Sequence, residues 1–229
     1  MTCAYLNDDF AKGPRPPLSL DSAQRIAAEA NANTVVLVEG WSDQAAVETL
    51  AHRVGLNLAA MAIVVLPIGG ATNAHRFAVR FGMQGLRLRL TGLYDLPEER
   101  HFLRAVCEGM VTSALSRTDA ERLGFYACSE DLEDEMIRAL GPEAVEQVIA
   151  VEGEIGAFRR FQVQPAQHDR SLDAHLRRFM GTRAGRKIRY GALLAGALDL
   201  GHIPLPLSQL LLRLASRDAE PSRTRMRQP

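Results

Sequence analysis

The run Thr34-Val35-Val36-Leu37-Val38 breaks off at Glu39-Gly40, and Asp43 follows three residues later. Five residues rich in β-branched side chains, with no polar alternation, specify a strand buried on both faces. The acid stands where that strand leaves its sheet, and open α/β sheets bind ligands in the crevice outside the carboxyl ends of their strands. Gly40 is expected to let the chain turn sharply, and Ser42 to Val54 reads as the following helix. Glu39 and Asp43 then share one short turn, where both can face a bound cation. A solvated turn acid plus a helix-start aspartate favoured by the helix dipole is the alternative at this point.

The same alternation continues. Asp21 or Ser22 can cap a helix running to about Ala30. A second strand is expected over 62–66, a Gly69-Gly70-Ala71-Thr72-Asn73 turn leads into a helix over 73–81, and a third strand over 88–94 ends at Tyr94-Asp95. A helix follows from about Glu98. Gly124 to Cys128 reads as a fourth strand, and Asp131 to Leu140 as a helix stopped by Gly141-Pro142. Strands alternating with helices imply right-handed crossovers and a mostly parallel sheet. Beyond Pro142 only helical segments are expected, over 142–152, 154–161, 172–180, 187–199 and 205–215. The reading is thus an α/β domain over 20–141 with a basic helical extension, 142–215, packed on it. A flexible leader (1–19) and a disordered basic tail (216–229) flank them.

With 229 residues the chain can bury a substantial core. No apolar stretch approaches the ~20 residues of a membrane span, and Met1 to Lys12 lacks the apolar core of a signal peptide. Cys3, Cys107 and Cys128 have neither disulfide-framework nor zinc spacing, which fits a reducing cytoplasm. The zero net charge hides an asymmetry: residues 1–155 sum to about −9 and residues 156–229 to about +9. An acidic part joined to an arginine-rich part suits a metal site beside an anionic polymer. Lysine occurs only at Lys12 and Lys187. In a chain that otherwise uses arginine, Lys187 suggests a need for a compact ammonium.

Three strand ends carry acids: Glu39 and Asp43, then Asp95 with Glu98 and Glu99, then Asp131, Glu133 and Asp134. Clustered carboxylates repel and raise one another's pKa values unless a cation is shared. Mg²⁺ or Mn²⁺, which take oxygen ligands and keep waters, suit such a cluster, one or two ions in all. The Gly69-Gly70 turn could bring backbone amides to a phosphate, or could simply be a strand-to-helix turn needing positive φ. It lacks the pattern of a P-loop or a dinucleotide fingerprint, so no nucleotide cofactor is expected.

Val38-Glu39-Gly40-x-x-Asp43, then the Gly69-Gly70-x-x-Asn73 turn, then a strand ending in Asp95, resembles the TOPRIM domain of topoisomerases, primases and related nucleases. The likeness is closest to the TOPRIM half of the overcoming-lysogenization-defect (OLD) nucleases and covers roughly Thr34 to Leu198. The resemblance implies a TOPRIM-like, Rossmann-like fold and a Mg²⁺-dependent nuclease that cuts or nicks DNA. It implies catalytic Glu39, Asp95 and Lys187, and metal ligation by Glu39, Asp43, Asp95, Asp131 and Glu133, with Glu98 and Asp134 as further ligands. Gly40, Gly69, Gly70 and Asn73 would shape the turn near phosphate. Arg159, Arg160, Arg177, Arg178, Arg183, Arg186 and Arg189 would follow a nucleic-acid backbone, DNA rather than RNA. Two features depart from the family. Its Asp-x-Asp motif reads Asp95-Leu96-Pro97 here, and no P-loop ATPase accompanies the domain, so any activity would be ATP-independent or need an ATPase or repair partner in trans. A non-catalytic nucleic-acid-binding scaffold and a nucleotidyl transferase are the other readings.

Overall fold

The computed structural model describes residues 15–110, 116–183 and 185–216. Lys12, the expected leader through residue 14 and the expected tail from residue 217 lie outside the described residues. The described end of the leader is held in place. The Arg15 guanidinium lies 5.2 Å from the Trp41 ring centroid, Trp41 Nε1 donates to the Pro16 carbonyl, and Ser19 caps the first helix through the Ser22 amide.

That helix, α1, spans Leu20–Glu29, and the chain then enters β1, Thr34–Val38. Next come α2 (Trp41–Arg53), β2 (Ile63–Pro67), a 3-10 turn at Ala71–Asn73 and α3 (Ala74–Phe81). β3 (Arg89–Asp95) leads through a 3-10 turn at Leu96–Glu98 into α4 (Glu99–Met110). A short α5, Arg117–Leu123, precedes β4, Phe125–Cys128. The sequence pattern did not anticipate α5, which buries only Ala120 and so shows no apolar period; its start signal, Ser116 capping Asp119 and capped by it in return, was present. Six further α-helices follow among the described residues: α6 (Leu132–Leu140), α7 (Pro142–Val151), α8 (Ile155–Gln162), α9 (Leu172–Met180), α10 (Arg186–Ala197) and α11 (Leu205–Ala215).

The four strands form one parallel sheet in the order β2-β1-β3-β4. β1 and β3 are central, with Leu37 opposite Gly92. Side chains alternate across a strand, and β1 shows why its run is apolar throughout. Val35 and Leu37 enter a core with α1, α3 and α4, while Val36 and Val38 enter another with α2 and the helices after β4. The extension is therefore the cover of one sheet face: Ile149, Phe158, Phe179, Tyr190 and Leu210 share a core with β1. Among the described residues, no helix is long and apolar enough to cross a membrane.

Candidate metal centre

Parallel strands in register send their carboxyl ends to one edge, and the acids follow. Glu39 succeeds Val38 on β1, Asp95 ends β3 on the adjacent strand, and Asp131 caps the helix that follows β4. Glu39, Asp43, Asp95, Asp131 and Glu133 line one cleft of about 320 Å³ with Gly40, Trp41, Ser42, Gly69, Gly70, Lys187 and Ile188.

Asp43 is also a capping residue: its Oδ2 accepts the Gly40 amide at 2.7 Å, and the Ser42 hydroxyl stands 3.4 Å from its Oδ1. Cleft acid and helix-start aspartate are thus one and the same carboxylate. Gly40 differs from expectation. Its φ of −139° and ψ of 179° are extended backbone open to any residue, so no sharp turn demands glycine there; the missing side chain leaves the cleft floor open. Gly69 and Gly70 do need glycine, with φ of 74° and 103°. Their amides donate to the Glu39 carbonyl at 2.9 and 3.2 Å, and Asn73 closes the turn through Nδ2 to the Gly69 carbonyl. Of the two expectations for this turn, these contacts fit the strand-to-helix turn needing positive φ: the amides already hold the Glu39 backbone, and Asn73 does not line the cleft.

Lys187 Nζ lies 3.2 Å from Glu133 Oε2, in an ion pair without the direction of a hydrogen bond. Glu133 is only 2 % exposed, and both its carboxylate oxygens are buried without a hydrogen-bond partner. Asp131 is more fully engaged. Its Oδ1 accepts the Asp134 amide at 2.8 Å and its Oδ2 meets Arg177 at 2.6 Å.

The electrostatics follow from crowding like charges at a buried edge. Burial pushes the Asp95 carboxyl up to about 9, reinforced by its hydrogen bond with Glu39 and by the charges of Glu39, Asp43 and Asp131. Burial likewise lifts Asp43 to about 7, with Glu133 adding to the rise and Lys187 opposing it. Glu133 is raised by burial, against the pull of Lys187. Burial alone would lower Lys187, but the charges of Glu133 and Asp43 hold it above its ordinary value.

These observations fit a divalent cation. Two adjacent carboxyls must share a proton or a metal, and the buried Glu133 carboxylate, whose charge is met by Lys187 through Oε2 alone, has room for a further cation at Oε1. Among the described residues no three His, Cys, Asp or Glu side chains form a ready-made cage. A hard cation that keeps several waters needs only one or two carboxylates.

Other expected site residues fall elsewhere. Glu98 and Asp134 do not line the cleft, and Asp134 turns to Arg138 at 2.8 Å. Adjacent helix positions are about 100° apart, so Glu133 and Asp134 do not share a direction. Of the seven arginines, Arg186 is 5 % exposed and pairs with Glu154, as Arg189 does. Arg159 pairs with Glu146 and Arg177 with Asp131. Arg160, Arg178 and Arg183 are exposed without an ion pair among the described residues. Four residues at or behind the site were not anticipated: Trp41, Ser42, Ile188 and Glu154. Trp41 and Ser42 follow directly on Glu39-Gly40, so adjacency was the available signal; Glu154 had none.

A parallel sheet with an acid-lined cleft at its carboxyl edge defines the class, a TOPRIM-type α/β domain. Residues 32–96 match the family described as "Overcoming lysogenization defect protein-like, TOPRIM domain". The fold is similar to the C-terminal region of the Burkholderia pseudomallei OLD protein, with a TM-score of 0.63 at 19% identity, covering 80% of this chain and 97% of that one. It is equally similar to the C-terminal region of the Xanthomonas campestris pv. campestris OLD protein, with a TM-score of 0.63 at 23% identity over 80% of this chain and 92% of that one. At such identities these likenesses speak for the fold. No curated protein matches the chain.

Proposed function

We propose that this protein is a divalent-metal-dependent nuclease that cuts or nicks DNA. The observation that carries the reading is the convergence of Glu39, Asp95, Asp131 and Glu133, from three separate strand ends, on one cleft that also holds Lys187. Glu39 and Asp95, with Asp43 beside them, would hold Mg²⁺ or Mn²⁺, and Glu133 with Asp131 would serve a second ion. When bound, such an ion supplies Lewis acidity and a water acidic enough to attack at neutral pH.

The chain's own groups do the rest. Gly69 and Gly70 fix the Glu39 backbone from behind, so its carboxylate stays at the strand end. Lys187 presents a fixed positive charge at the cleft, where negative charge develops on a phosphoryl group in the transition state. Of the seven arginines expected on the nucleic-acid path, Arg160, Arg178 and Arg183 are exposed and without an ion pair among the described residues, and they would give affinity for backbone phosphates that is sequence-independent and salt-dependent.

Purified protein incubated with supercoiled plasmid tests the reading. Nicked or linear product is expected with Mg²⁺ or Mn²⁺, and none with EDTA or with Glu39→Ala. No cutting by the unaltered chain at any metal concentration would overturn it. Two observations favour a second reading, a nucleic-acid-binding scaffold: Pro97 stands where the family has its second aspartate, and Asp131 is already paired with Arg177. DNA binding that survives both EDTA and Glu39→Ala, without cleavage, would select it.

A further inference from the structure

The first turn of α10 carries Arg186, Lys187 and Arg189 and no acid, and its N-cap, Gly185, makes no side-chain cap. Three cations at the positive end of a helix dipole oppose helix formation there. The compensating charge comes from another helix. Glu154, the N-cap of α8, accepts Arg186 Nη2 on Oε1 at 2.9 Å. Its Oε2 accepts Arg189 Nη2 and the Tyr190 hydroxyl, each at 2.9 Å. Arg186 is locked further: it donates to the Phe179 carbonyl at 3.1 Å and to Thr182 Oγ1 at 2.6 Å, and its guanidinium lies 4.1 Å from the Phe179 ring centroid. Lys187 is the one cation of this turn that Glu154 leaves alone, and it points to Glu133 instead.

We infer that Glu154 is a positioning residue for Lys187: its carboxylate gathers Arg186, Arg189 and Tyr190 and so fixes the rotation of α10 that presents the Lys187 ammonium to the cleft. One carboxylate with three directed donors sets orientation as well as energy. The role of Lys187 in cleavage rests on the nuclease reading, but its placement by Glu154 does not.

Glu154→Gln tests the inference, because it keeps the shape and removes the charge. Lys187 and Lys12 are the only lysines, so brief acylation with an amine-reactive ester, mapped by mass spectrometry, reads the Lys187 side chain against an internal reference. With the fold intact by circular dichroism, the ratio of Lys187 to Lys12 modification is expected to rise several-fold as Lys187 leaves Glu133. Cleavage is expected to fall about 10–100-fold, chiefly in kcat rather than KM, as when a supporting partner of a site is removed. An unchanged labelling ratio in Glu154→Gln would overturn the inference. Absence of cleavage by the unaltered chain, with a raised ratio in the variant, would overturn the nuclease reading alone. Should Glu154→Gln not fold, Tyr190→Phe loosens the same carboxylate while sparing both arginines; a raised ratio there supports the placement and an unchanged one refutes it.

Discussion

Asp95 stands beside Glu39 with its carboxyl at about 9, against an ordinary 3.8. Between those values the folded chain holds a proton that the unfolded chain has released. The stability Asp95 contributes without metal is therefore complete below about pH 4 and is lost as the pH climbs towards 9. Asp43, raised to about 7, acts in the same direction over the lower part of that window. A divalent cation favours the ionised carboxylates, so its stabilising effect should grow with pH. Thermal unfolding in EDTA and in Mn²⁺ is expected to show a wider gap in Tm at pH 8 than at pH 5. Asp95→Asn should raise the metal-free Tm at pH 8 and shrink the gap. Equal gaps at both pH values in the unaltered protein would contradict this account of the carboxyl pair.

At the scale of elements, α10 is pressed on the first turn of α2. A Cβ at Gly191 would collide with the Ser42 backbone carbonyl, so glycine permits the approach that brings Lys187, one turn earlier, over the Asp43 end of α2. The far end is tied by Arg53, which donates to the carbonyls of Ala195 and Leu198 at 2.8 and 2.7 Å. Gly191→Ala should cost about 1–3 kcal/mol, the range for overpacking a tight interface, measurable by urea unfolding, and should reduce cleavage by tilting α10. Full stability and full activity in that variant would refute the close-packing argument.

The strands and most helices were legible in the sequence because period and punctuation report them: Thr34–Val38, Leu172–Met180 and Leu205–Ala215 fall where expected. Glu39 and Asp95 were legible because they end strands, and a parallel sheet leaves no choice of edge. The arginines were not. Whether Arg186 meets solvent or Glu154 depends on how α8 and α10 pack, thirty-two residues apart in sequence, and a helical period does not carry that. Gly40 misled because glycine suggests an unusual backbone angle, whereas here what matters is the absence of a side chain from the cleft.

Over the whole molecule, the basic second part is less free than its composition suggests. Arg159, Arg177, Arg186 and Arg189 are held by acids of this chain. Of the arginines expected on the nucleic-acid path, exposed Arg160, Arg178 and Arg183 remain for an anionic polymer. Replacing each of them with serine should weaken DNA binding alike across sequences. The slope of log affinity against log salt should become shallower by about one for each phosphate no longer neutralised. Arg159→Ser should leave that slope nearly unchanged. Fluorescence anisotropy over a salt series checks both, and an unchanged slope in the triple variant would move the nucleic-acid path elsewhere.

The proposed cation site, built by side chains from separate strand ends, is tested by anomalous diffraction from a crystal soaked in Mn²⁺. A peak is predicted in the cleft within coordination reach of Glu39 and Asp95, and lost in Asp95→Asn crystals. Saturating Mn²⁺ with no peak in the cleft, or with ions bound only elsewhere on the molecule, would contradict it.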